Sequence, residues 1–253
     1  MTSNIEQIAD ALIELSHWLG KPTRELAIIG EGNTSARISE HTILIKASGS
    51  NLGSIQRHQL VEVDRRPVLA AIEAGPLDDA GTKQVLQQCR IDQASAAQPS
   101  IETFFHALMY ELTDTQFVGH THPITVNTLL CSKNATDITQ HIMPDVIIVC
   151  GPGAVFVPYM DPGVALAREI AVRIKTYQRE WGEHPRTIYL QSHGLIALGS
   201  SVKQVQNVTA MAVKHARVLA ATYAVGGPNF LSAQVQSRIH TRPDEEVRRA
   251  QFK

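Results

Sequence analysis

At 253 residues the chain can bury a sizeable core, and its 43% hydrophobic and 19% charged content is that of a soluble globular protein, not a disordered or membrane-spanning one. Lys plus Arg (23) nearly balances Asp plus Glu (24), which gives no field for nucleic acid or an anionic membrane. The three cysteines, Cys89, Cys131 and Cys150, make no CxxC pair; their odd number argues against a disulfide framework, fits a reducing cytoplasm and reads as three small buried residues.

The opening segment, Met1 to Glu6, lacks the basic and apolar regions of a secretory leader, and no run approaches a membrane span. Ile5, Ile8, Ala9, Leu12, Ile13 and Leu15 recur at helical spacing, and Gly20 followed by Pro22 stops that helix. Gly30 to Ser35 reads as a small polar loop, Thr42 to Ala47 as a strand, and Ser48-Gly49-Ser50 as a second small loop. Short helices are predicted over Pro67–Ala74 and Thr82–Arg90, separated by the breakers Gly75-Pro76 and Gly81. Pro99-Ser100 opens a strong helix with Ser100 as N-cap and Phe104, Phe105, Leu108, Met109 and Leu112 as its apolar face. A strand ending in His120-Thr121-His122-Pro123 follows, then a helix over Ile124–Cys131. Val146–Val149 and Val155–Val157 are predicted as strands around Gly151-Pro152-Gly153. Asp161-Pro162 begins a helix to about Trp181, Thr187–Gln191 and Leu195–Leu198 are strands, and Val202 to about Val225 is a long helix closed by Gly226-Gly227-Pro228.

No repeat or low-complexity linker interrupts this order. It predicts a single α/β domain over 1–253, with a core of about 8–227 and a C-terminal extension over 228–253. Strands do not alternate strictly with helices, so a mixed sheet is expected instead of a doubly wound parallel one. The Arg-rich end (Arg238, Arg242, Arg248, Arg249) is diluted by Asp244, Glu245 and Glu246 and reads as a solvated tail or surface helix.

The chemistry concentrates around histidine. His120 and His122 are two apart at a strand end, so they project from one face. Eleven histidines would give roughly 0.5 such pairs by chance, so the pair gains meaning from its company. His193 follows the apolar run Ile188-Tyr189-Leu190, and three imidazoles with an open position make a catalytic zinc pattern. Glu102, in the first turn of its helix, is a candidate proton carrier, and His106, one turn later, a candidate to hold it.

Taken in order, Gly32-Asn33-Thr34-Ser35, Ser48-Gly49-Ser50, Pro99-Ser100-Ile101-Glu102 and the histidine pair with its distant third resemble the class II aldolase/adducin family from about Ile8 to Gly227. That family includes zinc-dependent sugar-phosphate aldolases, a pentulose-phosphate 4-epimerase and a methylthioribulose-phosphate dehydratase. The resemblance implies that His120, His122 and His193 hold Zn2+, or another divalent transition metal, and that Glu102 is the acid/base. It implies that Gly32, Asn33, Ser48, Gly49 and Ser100 bind phosphate, joined by Lys46 on the pattern of the epimerase branch. It further implies a three-layer α/β/α fold with a mixed central sheet, a cytoplasmic homotetramer with sites between subunits, and a small sugar or sugar-phosphate substrate. Ile101 stands where the family commonly has a second serine, and Glu31 places a carboxylate beside the presumed anion loop. A second acid is not placed by the pattern; Tyr159, Tyr223 and Asp145 are candidates.

The expected activity is a metal-dependent carbon–carbon lyase of the aldolase type acting on a ketose or ketose 1-phosphate. Glu102 favours it, because the epimerase branch has Asp at the matching place. Epimerase, dehydratase and decarboxylase chemistry share the same requirement for a stabilised enediolate or enolate. A non-catalytic adducin-like assembly module would lack the metal histidines, and a zinc hydrolase would have no use for the anion loops.

Overall fold

The computed structural model describes residues 4–252. Met1, Thr2 and Ser3, on which part of the leader reading rests, lie outside the described residues. Helix α1 (Asn4–Leu19) buries Leu12, Leu15 and Leu19 completely and stops at Gly20, as its spacing predicts. Seven strands follow: β1 (Asn33–Arg37), β2 (Thr42–Lys46), β3 (Leu60–Asp64), β4 (Phe117–Thr121), β5 (Val155–Val157), β6 (Thr187–Leu190) and β7 (Gly194–Gly199). They form one sheet in the order β3-β2-β1-β4-β7-β6-β5. Every pairing is antiparallel except that of β5 with β6, so the sheet is mixed.

The helices are α2 (Arg65–Ala74), α3 (Asp79–Gln88), α4 (Thr103–Leu112), α5 (Ile124–Leu130), α6 (Pro144–Cys150), α7 (Val164–Trp181), α8 (Val202–Thr222), α9 (Ala233–Thr241) and α10 (Pro243–Ala250). Alternate residues of β7 feed opposite sides of the sheet. Ile196 and Leu198 pack with Val118, Phe104 of α4 and Ile170 of α7. Ala197 packs with Leu15 of α1 and Val205 of α8, and Leu195 with Val126 of α5 and Ala212 of α8. The result is three layers, α/β/α, as expected. Each fully buried Leu, Ile or Phe contributes about 1.5–3 kcal/mol, so the two apolar faces of the sheet fix its place between the helices. No helix among the described residues is long and apolar enough to cross a membrane.

Several expectations are corrected. Asn33-Thr34-Ser35 is not loop but the start of β1; all three are buried, and Asn33 pairs with His120. Leu60–Asp64 adds an edge strand whose Glu62 and Asp64 hide the apolar alternation. Val146–Val149 is not a strand but the middle of α6. Pro144 opens that helix, Gly151 (φ 100°) closes it, and burial of all its β-branched residues outweighs their strand preference. Ser100 is not the N-cap of α4. Glu102 holds that position, while Ser100 Oγ accepts from the Glu102 amide at 3.2 Å.

Gly81 lies inside α3, its amide donating to the Asp78 cap. The Asp161-Pro162 start is displaced to Gly163–Val164, with Gly163 (φ 128°) turning the chain into the helix, while the Asp161 carboxylate accepts from the Tyr159 hydroxyl. Cys89 and Cys150 are buried as expected, but Cys131, at the end of α5, is exposed. The C-terminal extension forms the surface helices α9 and α10 and is anchored by Ile239 against Ile147 and Ile148. Arg238 is exposed, and Arg242 pairs with Asp244; the side chains of Glu246, Arg248 and Arg249 lie outside the described residues.

Candidate metal centre

The antiparallel neighbours β4 and β7 bring two distant segments to one point. On β4, Val118 and His120 face α4, where the Phe105 ring meets the His120 imidazole edge-on at 5.3 Å. His122 lies one residue past the strand, its amide bonded to Leu26 O at 2.8 Å, and Pro123 then starts α5. His193 sits in the turn between β6 and β7. Ser192 takes the left-handed conformation (φ 53°), and the His193 carbonyl accepts from Asn127 Nδ2 at 3.0 Å. Gly194 allows this approach. A Cβ there would stand 2.4 Å from Thr121 O and 2.8 Å from the His122 ring.

The three imidazole centroids are 4.8–4.9 Å apart, in mutually edge-on orientation. His120 Nε2 lies 3.0 Å from His122 Nε2. Glu102 projects from the start of α4 to the same point, its Oε1 3.0 Å from His193 Nε2 and 3.4 Å from His120 Nε2. Glu102, His120, His122 and His193 each offer a ligand atom, all within 4.8 Å of one another.

The donor set is suited to a cation. His120 Nδ1 faces the Leu195 carbonyl at 3.1 Å, and His122 Nδ1 faces the Glu31 carboxylate at 3.3 Å. Both partners only accept, so both Nδ1 atoms carry the proton and both Nε2 atoms present lone pairs. Two lone pairs facing at 3.0 Å, with a carboxylate oxygen beside them, repel unless a positive charge lies between. Two nitrogens each ~2.0–2.1 Å from a tetrahedral ion stand roughly 3.3 Å apart. Burial, reinforced by His120 and His193, pushes His122 down to about 3, so it is the neutral imidazole a metal requires. Burial alone would raise the Glu102 carboxyl, but positive charge at the point where it meets His120 and His193 outweighs burial and holds that carboxyl well below the usual range.

The other oxygen of Glu102 is held from behind. Asn33 Nδ2 donates to Glu102 Oε2, and Asn33 Oδ1 accepts from His106 Nε2. Burial, then the nearness of His120, pushes His106 down to about 3, so its Nδ1 is free to accept from Ser35 Oγ at 2.6 Å. Ser35 Oγ in turn accepts from the Tyr110 hydroxyl at 2.7 Å. This chain runs in one direction, from Tyr110 to Glu102. His106 therefore reaches Glu102 through Asn33 and does not touch it directly.

The predicted anion loops also converge here. Gly32 (φ 70°) lies against the His120 backbone, where a Cβ would meet His120 O at 2.7 Å. The Ser48 amide donates to Gln98 O at 2.8 Å, setting the Ser48–Gly49 turn beside Pro99–Ser100. Lys46 is almost fully buried, its Nζ donating to Ser50 O at 2.6 Å, Ala47 O at 3.3 Å and Gly30 O at 3.5 Å. Burial lowers the Lys46 ammonium against the pull of Glu102.

The candidate second acids are elsewhere engaged. Tyr223 bonds to Asp137, Asp145 lies 3.8 Å from Lys214, and the exposed Tyr159 donates to Asp161. Glu31, Ser35 and Tyr110 were not singled out as supports of the centre. Glu31 is 91 residues from His122, and no spacing links them; only the β1–β4 pairing does.

The family described as Class II Aldolase and Adducin N-terminal domain matches residues 10–220. No curated protein matches the chain in sequence. Among solved structures, the N-terminal class II aldolase domain of a conserved protein from Thermoplasma acidophilum is 24% identical. The match covers 86% of this chain and 94% of that one, with a TM-score of 0.67. YgbL from Klebsiella pneumoniae, for which aldolase, epimerase and decarboxylase are given as alternatives, is 20% identical over 94% and 100% of the two chains, TM-score 0.68. An L-fuculose 1-phosphate aldolase is 18% identical over 95% and 96%, TM-score 0.69. At these identities the structures establish the shared fold.

Proposed function

The chain belongs to the class II aldolase and adducin family, and from that premise we propose that it is a zinc-dependent lyase of the aldolase type, acting on a ketose or ketose 1-phosphate. The observation that carries this reading is the convergence of Glu102, His120, His122 and His193 on one point. His120, His122 and His193 would hold the ion. When bound, it supplies Lewis acidity to a substrate carbonyl and its neighbouring hydroxyl, drawing off the charge that builds as a C–C or C–H bond breaks.

The protein's own residues do the rest. Glu102 carries the proton to or from the substrate carbon, and Asn33 holds Oε2 so that Oε1 faces the site. His106, Ser35 and Tyr110 keep the Asn33 amide turned the right way. Phe105 closes the floor beneath His120 against water. Gly32, Ser48, Gly49 and Ser100 supply small residues and amides suited to a phosphate, with Asn33 and Lys46 buried behind them, Lys46 adding a positive charge. The three free cysteines accord with a cytoplasmic enzyme, and the family resemblance with a homotetramer.

Incubation with a panel of ketoses and their 1-phosphates tests the reading. An aldehyde and a three-carbon fragment are expected in equal amounts. An epimer, loss of water or loss of CO2 in their place assigns a different reaction to the same residues. No conversion of any ketose, with metal loaded, rejects it.

A further inference from the structure

We propose that Glu31 is the positioning carboxylate of this centre, fixing the orientation and tautomer of His122 and setting how tightly the site holds its metal; the inference rests on the metal-centre reading above. The three histidines are supported unequally. His120 is oriented by the backbone carbonyl of Leu195 and packed against Phe105. His122 is part-exposed, and its Nδ1 faces a carboxylate, Glu31 Oε2 at 3.3 Å. A carboxylate on the far nitrogen raises the basicity of the near one and holds the ring against rotation; losing such a partner commonly weakens a metal site about 10–100-fold.

The loop that carries Glu31 is shaped for this task. The other oxygen, Oε1, accepts from the Ile28 amide at 2.6 Å, and the Glu31 amide returns to Ile28 O at 3.3 Å. Glu31 thus closes its own turn with one oxygen and reaches His122 with the other. The turn forces Ile29 to φ 59°, a costly conformation for a β-branched side chain, and leaves it 84% exposed. The same loop grips the backbone around His122, through Leu26 O to the His122 amide and Glu25 O to the Ile124 amide at 3.2 Å. In sequence, Glu31 reads as an unwelcome charge at an anion loop. In the structure that charge is aimed at a ligand imidazole.

The test measures zinc affinity of the full chain by competition with a chromogenic chelator. The His122 Nδ1–H signal is followed in parallel by long-range nitrogen–proton NMR of the zinc-loaded protein. Glu31→Ala is expected to bind zinc about 10–100-fold more weakly than wild type and to lose or shift that signal. Glu31→Gln, which can accept from only one of its two partners, should fall between them. Ile29→Gly relaxes the turn, keeps the carboxylate and should stay within about 3-fold of wild type. If wild type binds zinc and Glu31→Ala matches it with an unchanged His122 signal, the inference is overturned alone. If Ile29→Gly weakens zinc as much as Glu31→Ala, the loop and not the carboxylate is responsible, which also overturns it. A wild type that takes no zinc overturns the underlying reading.

Discussion

Glu102 divides its oxygens between two environments, the histidine cluster at Oε1 and the Asn33 amide at Oε2. Glu102→Gln should therefore keep zinc on the three imidazoles yet lose exchange of the substrate's carbon-bound proton with solvent. A loss of about 10²–10⁴ is expected, read by deuterium incorporation; exchange at the wild-type rate would remove Glu102 from the chemistry. The convergence of His120, His122, His193 and Glu102 was legible through the order of motifs shared with the family, since the histidine pair and Glu102 are each weak signals alone. The order of His106 behind Asn33 was not. Asn33 read as a loop residue, and its β1 pairing with His120 becomes visible only when the sheet closes.

Among the elements, the β4–β7 contact sets the site. Gly194→Ala would drive a methyl into Thr121 O and the His122 ring. It should cost about 1–3 kcal/mol in denaturant unfolding and weaken zinc as well; stability and affinity equal to wild type would show that the approach is looser than described. Lys46 ties the loops at 30 and 47–50 through three carbonyls. Lys46→Ala should weaken phosphorylated ligands more than unphosphorylated ones, and equal loss for both in binding titrations would confine Lys46 to tying the loops. The elements that were legible, such as α1, β2, α5 and α8, have clean periodicity or clear stops. The misread ones depended on tertiary context. The Val146–Val149 run is strand-like in composition, but burial by neighbours on both sides makes it α6. Leu60–Asp64 becomes a strand through its pairing with β2.

Across the whole molecule, the core also holds histidines that the site does not use. His215 of α8 stacks on His141 at a centroid distance of 6.4 Å, and burial, then the His141 charge, pushes His215 from 6.5 down to about 4. A histidine with a depressed folded pKa binds its proton more readily when unfolded. Its full contribution to stability is thus present above pH 6.5 and is lost as pH falls towards 4. The loss is on the order of 3 kcal/mol. His215→Leu should flatten the stability-versus-pH curve over that window in urea melts; an unchanged slope would mean the ring is not buried as described.

A single α/β domain with a mixed sheet, read from strands and helices that intermix, is the part of the fold the sequence displayed best; the three-layer arrangement was implied by the family resemblance. What the sequence itself could not display was how far β4 and β7 bring residues 120 and 193 together. That juxtaposition is the central claim, and cobalt titration of metal-free protein, followed by visible absorption, tests it most directly. Wild type should take up one ion per chain, and His193→Ala should bind at least about two orders of magnitude more weakly. A folded wild type that takes neither cobalt nor zinc, or a His193→Ala variant that binds as wild type does, would contradict it.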